Sequence, residues 1–171
     1  MKFELRVFVY GTLKKGFCNH DEYCAGVARI GKAWRRGRLF KLTGLIPAMT
    51  VPEEDVLMFG TANPAADIEA QERFETGLRS RGAPVRAPSA GTEWRTVRGE
   101  LLTFDDAESR LPFLDSLEGF RPGRPSEYLR VLVYVNLPGD MQTSAWTYIA
   151  GSDPKGLDEY AEENWDSLTA S

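Results

Sequence analysis

The residues that point most directly to chemistry lie in one segment, residues 10–19, with the sequence Tyr-Gly-Thr-Leu-Lys-Lys-Gly-Phe-Cys-Asn. It directly follows an apolar run that ends at Val9. Gly11 and Gly16 carry no Cβ, so each can adopt positive φ or let another group approach the main chain closely. Successive backbone N–H groups in such a turn form a concavity that binds anions. The segment predicts a site for a carboxylate or a developing oxyanion, the alternative being an ordinary strand-to-loop turn.

A second candidate is Glu118, which stands at the end of a helical pattern. Leu111, Leu114 and Leu117 recur every three residues before it. Gly119 follows as a helix stop. A carboxylate at a helix C-terminus faces the negative end of the macrodipole, and partial burial would raise its pKa further. Because a carboxyl with a raised pKa can accept a proton from an ammonium near neutral pH, Glu118 is a candidate general base; a solvated glutamate is the alternative.

Other titratable residues offer weaker alternatives. Glu100 is a rival base if its side chain points inward, and Asp115 could cap or pair locally. Cys18, His20 and Cys24 have no fourth ligand at zinc spacing, which argues against a metal site. A nucleophilic pair of Cys18 and His20 is also weak, because a spacing of two residues does not by itself aim an imidazole at a thiol. We expect two free thiols and a surface histidine.

Many strand signals and few helical ones make up the framework. Strands are predicted within 5–10, 26–42, 56–62, 96–104, 128–135 and 143–149, and helices at 65–81, 107–117 and 158–168. Asn63 and Pro64 indicate a helix start, and residues 137–140 indicate a hairpin turn. Residues 82–91, rich in proline and glycine, are predicted as a mobile loop. The order predicts an α+β fold: a small mixed, largely antiparallel β-barrel with flanking helices.

Composition and charge bound the function classes. The 171 residues are 42% apolar and 27% charged, which suits one domain spanning 1–171. No run approaches the roughly 20 apolar residues of a membrane span and no secretory leader is recognisable, so we expect a cytoplasmic protein. A net charge of −4 and the lack of a binding motif argue against nucleic acid. Residues 1–41 hold ten Lys or Arg against three Asp or Glu. This basic region, around Lys14, Lys15, Arg35, Arg36 and Arg38, could steer a small carboxylate-bearing ligand toward the glycine loop, the alternative being a solvated mixed surface.

Several segments together resemble the gamma-glutamylcyclotransferase-like family, and most closely the gamma-glutamylamine cyclotransferases. They are Val-Tyr-Gly-Thr-Leu-Lys-Lys-Gly at 9–16 with Asn19-His20, Val-Arg-Gly-Glu-Leu at 97–101, Leu-Asp-Ser-Leu-Glu-Gly at 114–119 and Tyr-Leu-Arg at 128–130. The elements stand in the family's order, and residues 52–94 form an unusually long insertion. The resemblance implies a small mixed barrel with a cavity.

The resemblance also implies an activity. A γ-glutamyl amine or γ-glutamyl amino acid would be converted to 5-oxoproline and free amine, with Glu118 as base and with neither metal nor organic cofactor. The implied substrate-binding residues are Tyr10, Gly11, Thr12, Leu13, Asn19 and Tyr128. The tyrosines could orient the substrate or donate to its carbonyl, while Asn19 either contacts ligand or fixes the loop. The alternatives are a non-catalytic ligand-binding or interaction module on the same scaffold, and hydrolysis by water.

Overall fold

Eight strands and three α-helices make up the described part of the chain, which is residues 2–43, 46–81 and 93–165 of a computed structural model. In chain order the elements are β1 (Leu5–Val9), α1 (His20–Tyr23), β2 (Arg29–Leu42), β3 (Ile46–Thr50), a short 3-10 turn (Glu53–Asp55), β4 (Met58–Phe59), α2 (Pro64–Arg81), β5 (Arg95–Phe104), α3 (Ala107–Glu118), β6 (Tyr128–Leu137), β7 (Met141–Ala150) and β8 (Glu159–Tyr160). None of the described helices is long and apolar enough to cross a membrane.

Five of the described strands close into a barrel in the order β2, β5, β1, β7, β6. Strand β1 runs antiparallel to β5 and parallel to β7, and the ring closes where Trp34 of β2 pairs with Asn136 of β6. Strands β3 and β8 add to β2, and β4 adds to β6. The predicted α+β fold with a mixed, largely antiparallel barrel is confirmed.

Strand β1 shows how the core is divided. Leu5, Val7 and Val9 belong to an apolar cluster that includes the buried leucines of α3, whereas Phe8 and Tyr10 belong to a second cluster that contains no helical residue. Successive side chains of a strand point to opposite faces of the sheet, so the first cluster lies between the barrel and the helices and the second fills the barrel. The loop that follows β1 therefore begins where the two apolar clusters meet.

Local signals set the helix ends as the sequence predicts. The Asn63 side-chain oxygen accepts a hydrogen bond from the N–H of Ala66 at 3.1 Å and so caps α2. Helix α3 stops at Gly119, which has a φ of 65° and donates its N–H to the carbonyl of Asp115. Leu111 and Leu114 are fully buried on α3. This packing holds the last residue of the helix, Glu118, at the barrel.

The predicted closing helix at 158–168 is wrong over its described part. Residues 158–165, hereafter the C-terminal segment, hold β8 instead, and residues 166–168 lie outside the described residues. The carbonyl of Asp158 accepts from the N–H of Lys41, and Glu159 pairs with Arg38 and Arg95. Pairing with β2 satisfies the backbone groups that a helix would have bonded internally. The predicted mobile loop at 82–91 also lies outside the described residues.

Candidate active site

A cavity opens beside the end of β1. Its empty volume is about 350 Å³, including the opening to solvent. The residues that line it come from β1 and the following loop, from the start of β3, from the end of α3 and from β6 and β7: Phe8, Val9, Tyr10, Gly11, Thr12, Leu13, Ile46, Pro47, Glu118, Tyr128 and Tyr148. Of the predicted site residues, all but Asn19 are among them. The structure thus brings Glu118 and residues 11–13, more than a hundred positions apart, to one hollow.

The turn at Gly11 gives the cavity a wall of main chain. The N–H of Lys14 donates to the carbonyl of Gly11 at 3.1 Å. Within the described chain, the amides of Gly11, Thr12 and Leu13 donate none of the turn and loop hydrogen bonds. A Cβ on Gly11 would lie 2.6 Å from Cγ of Pro47, so close approach, rather than positive φ, requires glycine there. This loop leaves backbone donors for an anion.

Side chains from outside the cavity fix the loop. Asn19 donates from Nδ2 to the Thr12 hydroxyl at 2.9 Å and from its backbone N–H to the Thr12 carbonyl at 3.1 Å. Nδ1 of His20 lies 2.8 Å from the Leu13 carbonyl, and Glu100 accepts the N–H of Lys15 at 3.1 Å. Asn19 and Glu100 therefore support the loop from outside the lining. The expectation of a surface histidine is wrong, because His20 is buried against this loop.

Glu118 is the one charged residue among the described residues that line the cavity. Burial raises the pKa of its carboxyl to about 7, and the nearby charges of Glu127 and Asp115 add to the effect. The predicted direction of the pKa shift is confirmed, but the neighbouring carboxylates were not foreseen. A carboxyl with a pKa near 7 exchanges protons readily at neutral pH, which is the property of a general acid or base.

Three tyrosines lie near the Glu118 carboxyl, and each of their hydroxyls already donates its proton to another group. The hydroxyl of Tyr10 donates to the Tyr148 carbonyl at 2.7 Å and accepts the N–H of Met49 at 3.0 Å. Tyr128 donates to the Pro47 carbonyl at 2.6 Å, and Tyr148 donates to Oδ1 of Asp115 at 2.7 Å. Burial raises the pKa of all three phenols, and the charge of Glu118 contributes in each case. In this arrangement none of the three hydroxyls has a proton left for a ligand, and only lone pairs remain.

A buried ion-pair cluster under the cavity was not predicted from the sequence. Arg130 is fully buried, with Nε 2.8 Å from Asp115 and Nη2 2.9 Å from Asp67. Its guanidinium stacks over the rings of Trp146 and Phe120 at 4.7 and 5.1 Å. The signal that could have indicated it is a single arginine within the otherwise apolar Tyr128–Val135 stretch, because a charge on such a strand requires a buried partner.

The remaining predicted features lie apart from the cavity lining. Arg35 and Arg36 both pair with Asp55, and Arg38 pairs with two glutamates. These ion pairs neutralise the three arginines locally, which counters the steering role expected of them. Both cysteines are free, as expected: Cys18 is exposed and Cys24 is buried.

Comparison with known proteins gives the family. The family model for gamma-glutamyl cyclotransferase, AIG2-like, matches residues 7–75 and 61–167. No curated protein sequence matches significantly. An AIG2-like protein from Mus musculus has a similar structure, with 22% identity, a TM-score of 0.53 and coverage of 96% of this chain and 90% of that one.

Two further solved structures share the fold. PH0828 from Pyrococcus horikoshii has 17% identity and a TM-score of 0.52, covering 97% of this chain and 93% of its own. YkqA from Bacillus subtilis has 16% identity and a TM-score of 0.56, covering 98% of this chain but 43% of its own. At these identities the likenesses show the fold alone. With most of its length matched by the family model, the chain belongs to the gamma-glutamyl cyclotransferase, AIG2-like family.

Proposed function

We propose that the protein converts a γ-glutamyl amine or γ-glutamyl amino acid to 5-oxoproline and a free amine, with Glu118 as the general base. The observation that carries the proposal is the shared cavity, which Glu118 lines together with Gly11, Thr12 and Leu13. Family membership supports gamma-glutamyl cyclotransferase chemistry in general. The substrate and the roles of individual residues are our inference from the geometry.

The glycine loop would hold the α-carboxylate of the γ-glutamyl group. Charge-assisted hydrogen bonds from backbone N–H groups are strong where water is excluded, and Asn19 and His20 keep this loop in place through Thr12 and Leu13. The other end of the substrate would extend toward the mouth of the cavity, where Ile46 is 40% exposed. This orientation places the α-ammonium beside Glu118.

Glu118 would take a proton from the α-ammonium. The neutral amine then attacks the γ-carbonyl carbon of the same molecule and forms the lactam C–N bond. Collapse of the tetrahedral intermediate breaks the original amide C–N bond. The leaving nitrogen gains the proton held by Glu118 and the second proton that the attacking nitrogen gives up, so the products are a neutral lactam and an ammonium, and Glu118 is again a carboxylate. Ring closure within one bound molecule benefits from effective molarities of about 10⁵ M or more when the reacting groups are pre-positioned.

Product analysis tests the proposal. The full chain is incubated with a panel of γ-glutamyl amines and γ-glutamyl amino acids, and products are identified by mass spectrometry. We expect 5-oxoproline and the free amine in equal amounts from at least one compound. Free glutamate as the product would instead show hydrolysis by water. Binding of these compounds without turnover anywhere in the panel would contradict catalysis and favour a binding module.

Two finer expectations accompany the proposal. The resemblance to gamma-glutamylamine cyclotransferases leads us to expect faster turnover of γ-glutamyl amines than of γ-glutamyl amino acids. The apolar side chains of Ile46 and Pro47 in the described lining agree with a leaving group that carries no carboxylate. Localisation in the cytoplasm, with a small-molecule substrate, stays a prediction from the sequence.

A further inference from the structure

The ion-pair cluster below the cavity joins the helix that carries Glu118 to a tyrosine of the lining. Asp115 lies one helical turn before Glu118 on α3. Its Oδ1 accepts from Nε of Arg130 at 2.8 Å and from the hydroxyl of Tyr148 at 2.7 Å. Arg130 is in turn held by Asp67, which is itself buried and bonded to the backbone and hydroxyl of Thr61. The position of Asp115 is thus fixed from two sides.

The bond to Asp115 limits the hydrogen bonds that the Tyr148 hydroxyl can make to a ligand. A phenol has one proton and two acceptor lone pairs. The proton is committed to Asp115, so a ligand that reaches this oxygen can only donate a hydrogen bond to it. Among the described residues of the lining there is no lysine or arginine to compete for it. An oxygen that can only accept hydrogen bonds suits a cationic N–H donor.

We propose that Asp115, paired with Arg130, is a positioning residue that orients the Tyr148 hydroxyl as an acceptor for the α-ammonium of the substrate. The inference rests on the proposed function, because it assigns a role at the same cavity. It differs from the expectation that a tyrosine donates to the substrate carbonyl. Tyr148 was not among the residues singled out from the sequence.

The charges around Glu118 define the effect of Asp115 on the base. Glu118 faces the carboxylates of Asp115 on its own helix and Glu127 just before β6, together with the phenols of Tyr10, Tyr128 and Tyr148. Of the two carboxylates Glu127 has the larger effect on the pKa of Glu118, and Asp115 adds to it. The Asp115 charge disfavours ionisation of Glu118 and so keeps that group a stronger base. Removing the charge should therefore lower the pKa of Glu118.

A paired binding measurement tests the role of Tyr148. The ligands are a γ-glutamyl alkylamide and its desamino analogue, the matching N-alkyl glutaramate, which keeps the carboxylate and amide but lacks the ammonium. Tyr148→Phe should weaken binding of the γ-glutamyl compound about tenfold to a hundredfold, as expected for loss of a hydrogen bond to a charged group. Binding of the desamino analogue should change less than twofold. Tyr134→Phe, which removes a hydroxyl that bonds to the Phe74 carbonyl outside the cavity, is the matched control.

A double-mutant cycle tests the role of Asp115. Asp115→Asn should weaken binding of the γ-glutamyl compound severalfold, and most of that loss should disappear in the Tyr148→Phe background, because the effect passes through the hydroxyl. The acid limb of kcat/KM should move to lower pH in Asp115→Asn and stay in place in Tyr148→Phe. Glu108→Gln, an exposed carboxylate near the start of α3, should leave both measurements unchanged.

The outcomes separate this inference from the proposed function. Equal weakening of both ligands by Tyr148→Phe, or independent losses in the double variant, would overturn the positioning role even if 5-oxoproline is released at the normal rate. Absence of turnover in the wild-type protein would count against the proposed function, while discrimination between the two ligands would still support an ammonium site at Tyr148. If Asp115→Asn fails to fold, the ligand pair with Tyr148→Phe still decides the inference.

Discussion

At the scale of single residues, the Glu118 carboxyl is desolvated and also lines the cavity. Glu118 is the last residue of α3 and lies among apolar and phenolic groups, and its pKa is raised to about 7 chiefly by burial. The same desolvation that makes the group a base opposes folding at pH values where it is ionised. The effect on catalysis and the effect on stability can both be measured through Glu118.

The pH dependence of catalysis is the first prediction. Below the pKa of Glu118 the carboxyl is protonated and cannot accept a proton from the substrate. We expect kcat/KM to fall at low pH with an acid limb centred near the Glu118 pKa of about 7. The measurement is the rate of 5-oxoproline release across the neutral range. An acid limb near the ordinary glutamate value of 4.5 would contradict the role of burial.

The pH dependence of stability is the second prediction. The pKa of Glu118 is higher in the folded state than the ordinary value of 4.5, so the folded chain binds more protons between 4.5 and about 7 and stability falls as pH rises through that window. Glu118→Gln should raise the free energy of unfolding by on the order of 2 kcal/mol above the window and by little below it. Urea denaturation at both ends of the window measures this. Glu108→Gln is the control, and an equal effect of Glu118→Gln at both pH values would contradict the account.

Close packing at Gly11 provides the third prediction. The Cβ of Gly11→Ala would come within 2.6 Å of Cγ of Pro47, so the loop or β3 must move. Because displacement of a positioned group by about 1 Å can cost about a hundredfold in rate, we expect kcat/KM to fall at least tenfold. Gly77→Ala lies in open space on α2 and should keep full activity with unchanged or improved stability. Normal activity in Gly11→Ala would argue against a role for the loop geometry.

At the scale of elements, the C-terminal segment stabilises the glycine loop from outside. Trp165 is 3% exposed, lies 4.9 Å from the ring of Tyr160 and accepts the Lys14 ammonium on its carbonyl at 2.8 Å. Lys14 follows the loop residues that line the cavity. The segment thus connects the strand added to β2 with the candidate active site.

Removal of the Trp165 side chain is the fourth prediction. Truncating a buried aromatic residue costs about 3–5 kcal/mol, so Trp165→Ala should lower the unfolding free energy by that order. KM for a γ-glutamyl substrate should rise as well, because the segment supports the loop. Leu157→Ala, at an exposed position nearby, should change neither quantity. Unaltered stability in Trp165→Ala would show that the segment does not contribute to the core.

The helices and strands also show which structural features could be predicted from the sequence and which could not. Asn63 and Gly119 set helix ends through bonds within a few residues, so their effects could be predicted locally. Strand β8 could not, because its partners Leu39 and Phe40 are more than a hundred positions away and acidic residues disfavour a strand by local propensity. Strand β3, which carries a proline, was missed for a related reason: it exists as an addition to β2.

At the scale of the whole molecule, Arg130 joins four elements of the fold. It stands on β6, pairs with Asp67 of α2 and Asp115 of α3, and stacks against Trp146 of β7. These partners lie 63 and 15 residues away in the sequence, which is why no local pattern revealed the cluster. The residues that we propose to act on the substrate were easier to predict, because the glycine loop and Glu118 each stand at the end of an element that the sequence marks clearly.

Loss of this arginine is the fifth prediction. Arg130→Met would leave two buried carboxylates without their cation, and breaking a buried ion pair in this way costs about 3–5 kcal/mol. We expect a correspondingly lower midpoint of urea denaturation. Arg124→Met, in the exposed loop before β6, is the matched control and should lie close to wild type. A midpoint for Arg130→Met equal to that of Arg124→Met would show that the cluster does not hold the molecule together.

The rate of 5-oxoproline release by Glu118→Gln, compared with Glu108→Gln and wild type on the same γ-glutamyl substrate, tests the central claim most directly. A general base contributes about 10²–10⁴-fold to the rate, so we expect release by Glu118→Gln to fall by at least about a hundredfold while Glu108→Gln remains at the wild-type rate. Circular dichroism and the denaturation midpoint establish that both variants are folded. Release by folded Glu118→Gln within a few fold of wild type would contradict the claim that this carboxyl is the base.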